Sequence, residues 1–419
     1  MTIRRQPEDF VVIERLLASA MAGWRDAPGE ETPHAVYRLE KRSLTTPEAV
    51  SHLAKALGTR AGLIEHGGLK DKHACTTQHV SLRPEQAGRV RSLSAKVQGQ
   101  GWSAERIGWS GRALDASMIE GNEFVIVVRD LRPADVDTLN ARADLLNIGP
   151  SRSEATLRIV NYFGAQRFGS ARHGQGFVAR ALIAGEFERA LRLSIATPAR
   201  KDMGRQREFT RAAATKWGQW EVLARELPAM PERRAIEVLA RGGAMWEAYA
   251  ALPHALTQMH VEAFQSHLWN ATARRMVEAH AASMKPVEGK AEAFLRADDE
   301  FGEMLFLSAA DVPEAWNGLE VPTLSPEVRL AGCSSAWHAA AVAALRDEGL
   351  ADTGELRIEH VRRPTFGSAN RPLLTLARGF AMSPPVRDEL GSARAGKRTL
   401  RFALPRGSYA TVVLRALGQ

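Results

Sequence analysis

The stretch GGLKDKHACTTQ, Gly67 to Gln78, sets one carboxylate, Asp71, between Lys70 and Lys72, directly after a glycine pair. Flanking ammonium groups hold such an acid as an anion at neutral pH rather than turning it into a proton donor. An anionic aspartate in a loop suits nucleophilic catalysis, including attack on an anomeric carbon or an activated ring. Lys70 and Lys72 are then candidates to meet the phosphates on either side of a nucleotide brought to Asp71. The plain alternative is a turn aspartate with two exposed lysines. His66, His73, Cys75 and His79 crowd the same neighbourhood, and imidazole and thiolate are zinc ligands. They lack the C-x-x-C or H-x-x-x-H spacing that presents ligands together, so no metal is expected.

A second stretch, NYFGAQRFGSARHGQG from Asn161 to Gly176, mixes aromatics, Arg167, Arg172 and four glycines in one loop-like run. Such a run can lay backbone amides, guanidinium groups and rings against a folded RNA. Equally, Tyr162, Phe163 and Phe168 can belong to the core of a packed corner. Both readings stay open on the residues alone.

The elements that must position these groups are legible from periodicity. FVVIE (10 to 14) and HAVYRLEKR (34 to 42) read as strands, the second with its basic residues on a solvent face. A helix follows, with Thr46 as its cap, Pro47 in the first turn, Val50, Leu53, Ala54 and Leu57 on one side, and Gly58 at its end. HACTTQHVSLR has the threonines and alternation of a strand, which leaves Asp71 in a loop between elements. EGNEFVIVVRDL reads as a strand entered through Gly121 and Asn122. PADVDTLNARADLL gives a helix from Pro133 with Val136, Leu139, Ala143 and Leu146 on one side. Strands and helices alternate here without a dinucleotide-binding glycine fingerprint. From about 160 to 350 the pattern turns helical, as in ALIAGEFERALRL and MHVEAFQSHLWNATARRMVEA, which implies a second domain. At the end, RTLRFALPRGSYATVVLRAL alternates Leu400, Phe402 and Leu404 as a strand, turns at Pro405 to Gly407, and closes in a short helix.

The chain has 419 residues, enough for at least two domains. Its 56 basic against 48 acidic side chains give a net charge of +8, carried largely by arginine, which suits an anionic partner without demanding one. Two cysteines, Cys75 and Cys333, exclude a disulfide framework or a four-cysteine zinc module and fit a reducing cytoplasm. No long apolar region follows the arginines of MTIRRQPEDF, and LLASAMAG is too short to cross a membrane, so a soluble intracellular protein is expected.

GGLKDKHACTTQ, with Gly68, Lys70, Asp71, Lys72, Ala74, Thr76 and Gln78 in register, resembles the catalytic signature of the TruD-type tRNA pseudouridine synthases. PEDFVVIE (7 to 14), GNEFVIVVRDL, NYFGAQRFG, EAFQSHLWN (262 to 270) and LPRGSYATVVLRAL are similar to further segments of that family. They occur in the family's order over nearly the whole chain. The resemblance implies an α+β fold, a pseudouridine synthase core with a mixed, largely antiparallel sheet built from residues 1–158 and 371–419. A mostly helical TRUD domain, 159–370, is inserted between them. It implies isomerisation of one tRNA uridine, near the junction of the acceptor and D arms, to pseudouridine with no cofactor. By the same resemblance Asp71 is the catalytic aspartate, Asn122 its hydrogen-bond partner, and Phe124 the ring that stacks on the target base. Arg4 stands where the family usually carries a lysine that pairs with the acid. Lys70, Lys72, Gln78, Arg167, Phe168 and Tyr409 complete the implied substrate contacts. The partner is tRNA, and a monomer in the cytoplasm is expected. Two readings of other classes compete with it: an RNA-binding protein that needs no turnover, and a zinc enzyme built on the His/Cys cluster.

Overall fold

The computed structural model describes residues 1–83, 93–151, 154–169, 174–199, 202–284, 294–298, 301–332, 334–392 and 394–419. Arg172 and Cys333 lie outside the described residues. The chain divides into two compact units. The first comprises Met1–Ile159, Ser308–Ala310 and Thr375–Gln419, and the second comprises Val160–Leu307 and Asp311–Leu374.

Strands of the first unit are β1 (Phe10–Leu16), β2 (His34–Arg42), β3 (Ile64–His66), β4 (Cys75–Leu82), β5 (Lys96–Gly99), β6 (Trp102–Ser110), β7 (Ile119–Leu131) and β8 (Ala155–Val160). In the second unit β9 (Leu295–Ala297) pairs with β10 (Met304–Phe306), and β11 (Glu320–Pro322) pairs with β12 (Asn370–Pro372). The chain then returns to the first unit with β13 (Leu374–Met382), β14 (Val386–Arg387) and β15 (Gly396–Pro405). The large sheet runs β5-β6-β2-β4-β1-β7-β15-β13-β8, with β3 beside β4 and β14 beside β15. β1 and β4 are parallel, while β1 with β7, β7 with β15, and β2 with β4 and β6 are antiparallel. This is the mixed, largely antiparallel sheet of an α+β fold, closed by both ends of the chain.

Central β7 is long because FVIVV is one aromatic followed by four β-branched residues and both its edges are paired. Gly121 lies where β7 passes closest to β15: a Cβ there would stand 2.1 Å from the Leu404 carbonyl oxygen. Only glycine permits that approach. The helix Thr46–Ala56 packs Ala49, Val50, Leu53 and Ala54 on Tyr37, Leu39 and Val80 of the sheet. Its cap is Thr45, whose side chain accepts from the Glu48 amide in a capping box, and not Thr46 as its position beside Pro47 suggested. Thr46 is fully buried and its hydroxyl is used elsewhere.

The second unit is mostly helical around the long helix His254–Ser283. ALIAGEFERALRL forms two helices, Val178–Ile183 and Phe187–Ile195, because Gly185 between them has φ +73°. NYFG is pinned inside this unit: Asn270 exchanges two hydrogen bonds with the Phe163 backbone, and the Tyr162 hydroxyl donates to the Leu305 carbonyl at 2.9 Å. Arg371 lies 4.0 Å over the Phe163 ring.

Candidate active site

One row of side chains crosses the sheet of the first unit. Lys41 of β2 stands opposite Thr76 of β4, Thr76 beside Val12 of β1, Val12 opposite Phe124 of β7, and Phe124 opposite Phe402 of β15. Phe124 meets Phe10 edge-on with centroids 6.2 Å apart and Phe402 at 5.6 Å, so an aromatic strip forms the floor. It is largely buried among these rings.

Asp71 lies in the loop between β3 and β4. Its Oδ2 accepts from the Arg4 guanidinium at 2.8 Å, and about a third of its side chain, 33%, is exposed. Arg4 takes φ +61° and lays its guanidinium 3.9 Å from the Phe10 ring centre, so the pair is fixed from both sides. Arg4 and Asp71, 67 residues apart, are thus brought together. Asn122 is on the same face as Phe124, with its Oδ1 buried and unpartnered among the described residues.

Lys70 does not face solvent. Its ammonium lies 2.7 Å from Glu14 of β1, in a pair whose side chains are 9% and 1% exposed. Burial would raise the Glu14 carboxyl, but the hydrogen bonds and charge of His79 and Lys70 outweigh it and hold the group below the ordinary carboxylate range. The expected phosphate contact of Lys70 is therefore replaced by an internal ion pair. Lys72 stays at the surface, half-exposed and 3.3 Å from Glu48. Gln78 is fully buried, accepting from the Thr46 hydroxyl at 2.8 Å, and so braces the loop from beneath rather than from its open side. The same hydroxyl accepts from the Lys70 amide at 2.9 Å. Thr46→Val, which keeps the shape and removes both bonds, is expected to cost about 2 kcal/mol, read from urea unfolding at constant m.

Gly67 opens the loop where a Cβ would stand 2.2 Å from Ile119 and 2.9 Å from the Asp115 carbonyl oxygen. Tyr409 caps the helix Ala410–Ala416 and is half-buried. In the second unit Arg167 pairs with Glu262 at 2.9 Å and donates to Ser266, while Phe168 is buried against Phe301 and Phe177. Phe168 thus takes the core reading of its stretch. Cys75 and His79 share one face of β4, yet among the described residues no three His, Cys, Asp or Glu side chains gather as a metal set.

Two buried groups of this site escape sequence reasoning: Glu14, and Lys41, which is 3% exposed and donates to three backbone carbonyls. The signal for Lys41 was phase. Tyr37, Leu39 and Lys41 alternate on the buried face, so this one basic residue of β2 does not share the solvent face of Arg38 and Arg42.

Residues 1–417 match the family described as tRNA pseudouridine synthase D (TruD). The chain is similar to the tRNA pseudouridine synthase D of Aquifex aeolicus, 27% identical over 418 residues, covering 99% of this chain and 97% of that one. A relative from Pyrobaculum neutrophilum named "Probable tRNA pseudouridine synthase D" is 29% identical over 99% of this chain and 90% of its own. In fold, a crystal structure from Methanosarcina mazei carrying the TruD designation aligns with a TM-score of 0.65 at 24% identity, over 99% of this chain and 92% of that one. The protein is an enzyme of the pseudouridine synthase class, an isomerase. It belongs to the tRNA pseudouridine synthase D (TruD) family.

Proposed function

We propose that the protein isomerises one uridine of a tRNA to pseudouridine, with Asp71 as covalent nucleophile and with no cofactor. The observation that carries this reading is the Arg4–Asp71 pair: a partly open carboxylate held at 2.8 Å by a guanidinium, in the loop beside the Phe124 row of the sheet. A base stacked in a folded tRNA must first be flipped out, at a cost of a few kcal/mol. Phe124 offers that base an aromatic edge, and the Oδ1 of Asn122 on the same face an acceptor. The carboxylate attacks the anomeric carbon or the pyrimidine ring, the N1–C1′ bond breaks, and the base turns. C5 then bonds to C1′, the bond from Asp71 to its carbon breaks to return the carboxylate, the C5 hydrogen leaves as a proton and N1 takes one up. The fragments must be held throughout, which a closed pocket achieves through effective concentration.

Lys72, Arg167 and Tyr409 serve as contacts to the RNA, while Lys70, Gln78 and Phe168 act from inside the protein. On this reading residues 159 to 370 are the inserted TRUD domain, close to the bounds of the second compact unit, Val160–Leu307 and Asp311–Leu374. A monomeric enzyme working in the cytoplasm is part of the same reading; no described helix is long and apolar enough to cross a membrane.

Mapping pseudouridine by carbodiimide-dependent reverse-transcription stops tests this reading, on unmodified tRNA transcripts incubated with purified protein. One new stop, near the junction of the acceptor and D arms, is expected. Tight tRNA binding with no stop on any transcript would favour a non-catalytic RNA binder instead.

A further inference from the structure

The loop that carries Asp71 begins with a glycine pair and has no regular structure of its own, so something must fix the backbone from which the carboxylate projects. Arg4 holds the side chain only. The backbone is held from beneath by Lys41, whose Nζ donates to the carbonyl oxygens of Leu44 at 2.7 Å, Asp71 at 2.8 Å and Lys70 at 3.4 Å. A lysine is almost never buried to 3% exposure without such compensation. An ammonium has three N–H donors, and here all three meet carbonyls. Two of the carbonyls belong to the nucleophile's own dipeptide. The third belongs to the turn before the helix Thr46–Ala56, so one amine ties loop, helix start and β2 together.

We propose that Lys41 is a positioning residue of the reaction: by gathering these three carbonyls its ammonium sets where the Asp71 carboxylate meets the nucleotide. The inference rests on Asp71 being the nucleophile. It assigns Lys41 no contact with substrate. Its effect falls on the rate of the bound complex rather than on tRNA affinity, because nothing it touches is RNA.

The clamp depends on a proton. Burial pushes the Lys41 ammonium down to about 8, against the opposing pull of Asp71 in the loop, Glu48 on the helix and Cys75 on β4, and with the push of Lys70. Its neighbour on β6, Trp102, carries no charge. Above that pH the neutral amine has two N–H groups for three carbonyls. Burial moves the Cys75 thiol up, away from this range, so it does not account for a change near 8. The stability contribution of Lys41 has the opposite sign. Its folded pKa is below its unfolded one, so between about 8 and 10.4 the unfolded chain binds more protons and this group favours folding as pH rises. A rate that falls over this range while the melting temperature holds therefore reports the clamp and not unfolding.

The test is single-turnover pseudouridine formation, with tRNA affinity and melting temperature, for wild type, Lys41→Arg, Lys41→Met and Asp71→Asn from about pH 6.5 to 9.5. In the wild type a decline centred near pH 8 is expected. Lys41→Met should lose about 10²-fold in rate at pH 7, the loss that follows a misplacement of about 1 Å, with tRNA affinity unchanged within about threefold. It should also lack the decline. Lys41→Arg, which stays protonated, should restore much of the rate and shift the decline upward. A wild-type rate that is flat to about pH 9.5, or a Lys41→Met rate within about threefold of wild type, overturns the proposal. Should Lys41→Met fail to fold, the wild-type and Lys41→Arg profiles still decide. Inactive Asp71→Asn beside unimpaired Lys41→Met sinks this inference alone, whereas active Asp71→Asn sinks the nucleophile assignment with it.

Discussion

Asp71→Asn is expected to bind tRNA at least as tightly as the wild type and to form no measurable pseudouridine, with a rate loss of about 10⁵-fold or more. The amide has the same shape and keeps an oxygen toward the Arg4 guanidinium, so the loop should hold its course. What disappears is the property the proposed chemistry uses, an anionic oxygen able to form and release a bond to carbon. Stability should change little, because the Arg4–Asp71 pair is 24% and 33% exposed and pairs open to that degree contribute at most about 1 kcal/mol. Affinity should hold or rise, since a negative charge is removed from the surface proposed to meet the RNA phosphates. Single-turnover formation and filter binding at one fixed salt concentration check both halves. An Asp71→Asn rate within about tenfold of wild type would move the covalent role to another group.

That prediction separates three classes of protein. An RNA binder without turnover gives no product even as wild type. A zinc enzyme would lose activity to a chelator while tolerating the amide. Only a carboxylate nucleophile fails at Asp71 with its RNA affinity intact.

The strands and the helix beside Asp71 were legible because periodicity and caps are local. HAVYRLEKR spans β2 residue for residue, and EGNEFVIVVRDL lacks only Ile119 of β7. The reason Asp71 sits where it does was less so, since it depends on long-range partners. Lys70 and Lys72 look equivalent in KDK, yet one is buried against Glu14, 56 positions away, and the other reaches the surface. Thr45 and Thr46 are both plausible caps, and the choice is made by Gln78, which claims the Thr46 hydroxyl. Lys41 reads as one more base in a basic strand until its phase is compared with Tyr37 and Leu39. Charge sites paired across the fold leave no periodic trace, whereas a polar residue in an apolar phase does.

The same logic gives the largest expected loss of stability. Arg129 of β7 is 1% exposed, and its guanidinium meets both Asp9 oxygens at 2.9 Å, Asp388 at 2.6 Å and Glu389 at 3.1 Å. Asp9 immediately precedes the first strand and Asp388 lies in the last tenth of the chain, so this one side chain ties both ends of the first unit to its central strand. Arg129→Met is expected to cost about 3 to 5 kcal/mol, because it leaves two buried carboxylates without a cation. Burial would raise the Asp388 carboxyl, but the Leu390 and Asp130 amides and Arg129 outweigh it and hold it low. A carboxyl lowered by folding contributes stability above its unfolded pKa of about 3.9 and loses it as pH falls through the folded value. Wild type should therefore lose stability in acid below about pH 4 more steeply than Arg129→Met does. The triple variant Arg129→Met, Asp9→Asn, Asp388→Asn should recover part of the loss at neutral pH, since it removes the stranded charges along with their partner. Urea unfolding of the three proteins at two pH values measures all of this. If Arg129→Met alone is as stable as wild type, the two chain ends are held by packing and not by the buried ions, and the position of Arg4 beside Asp71 has to rest on Phe10 instead.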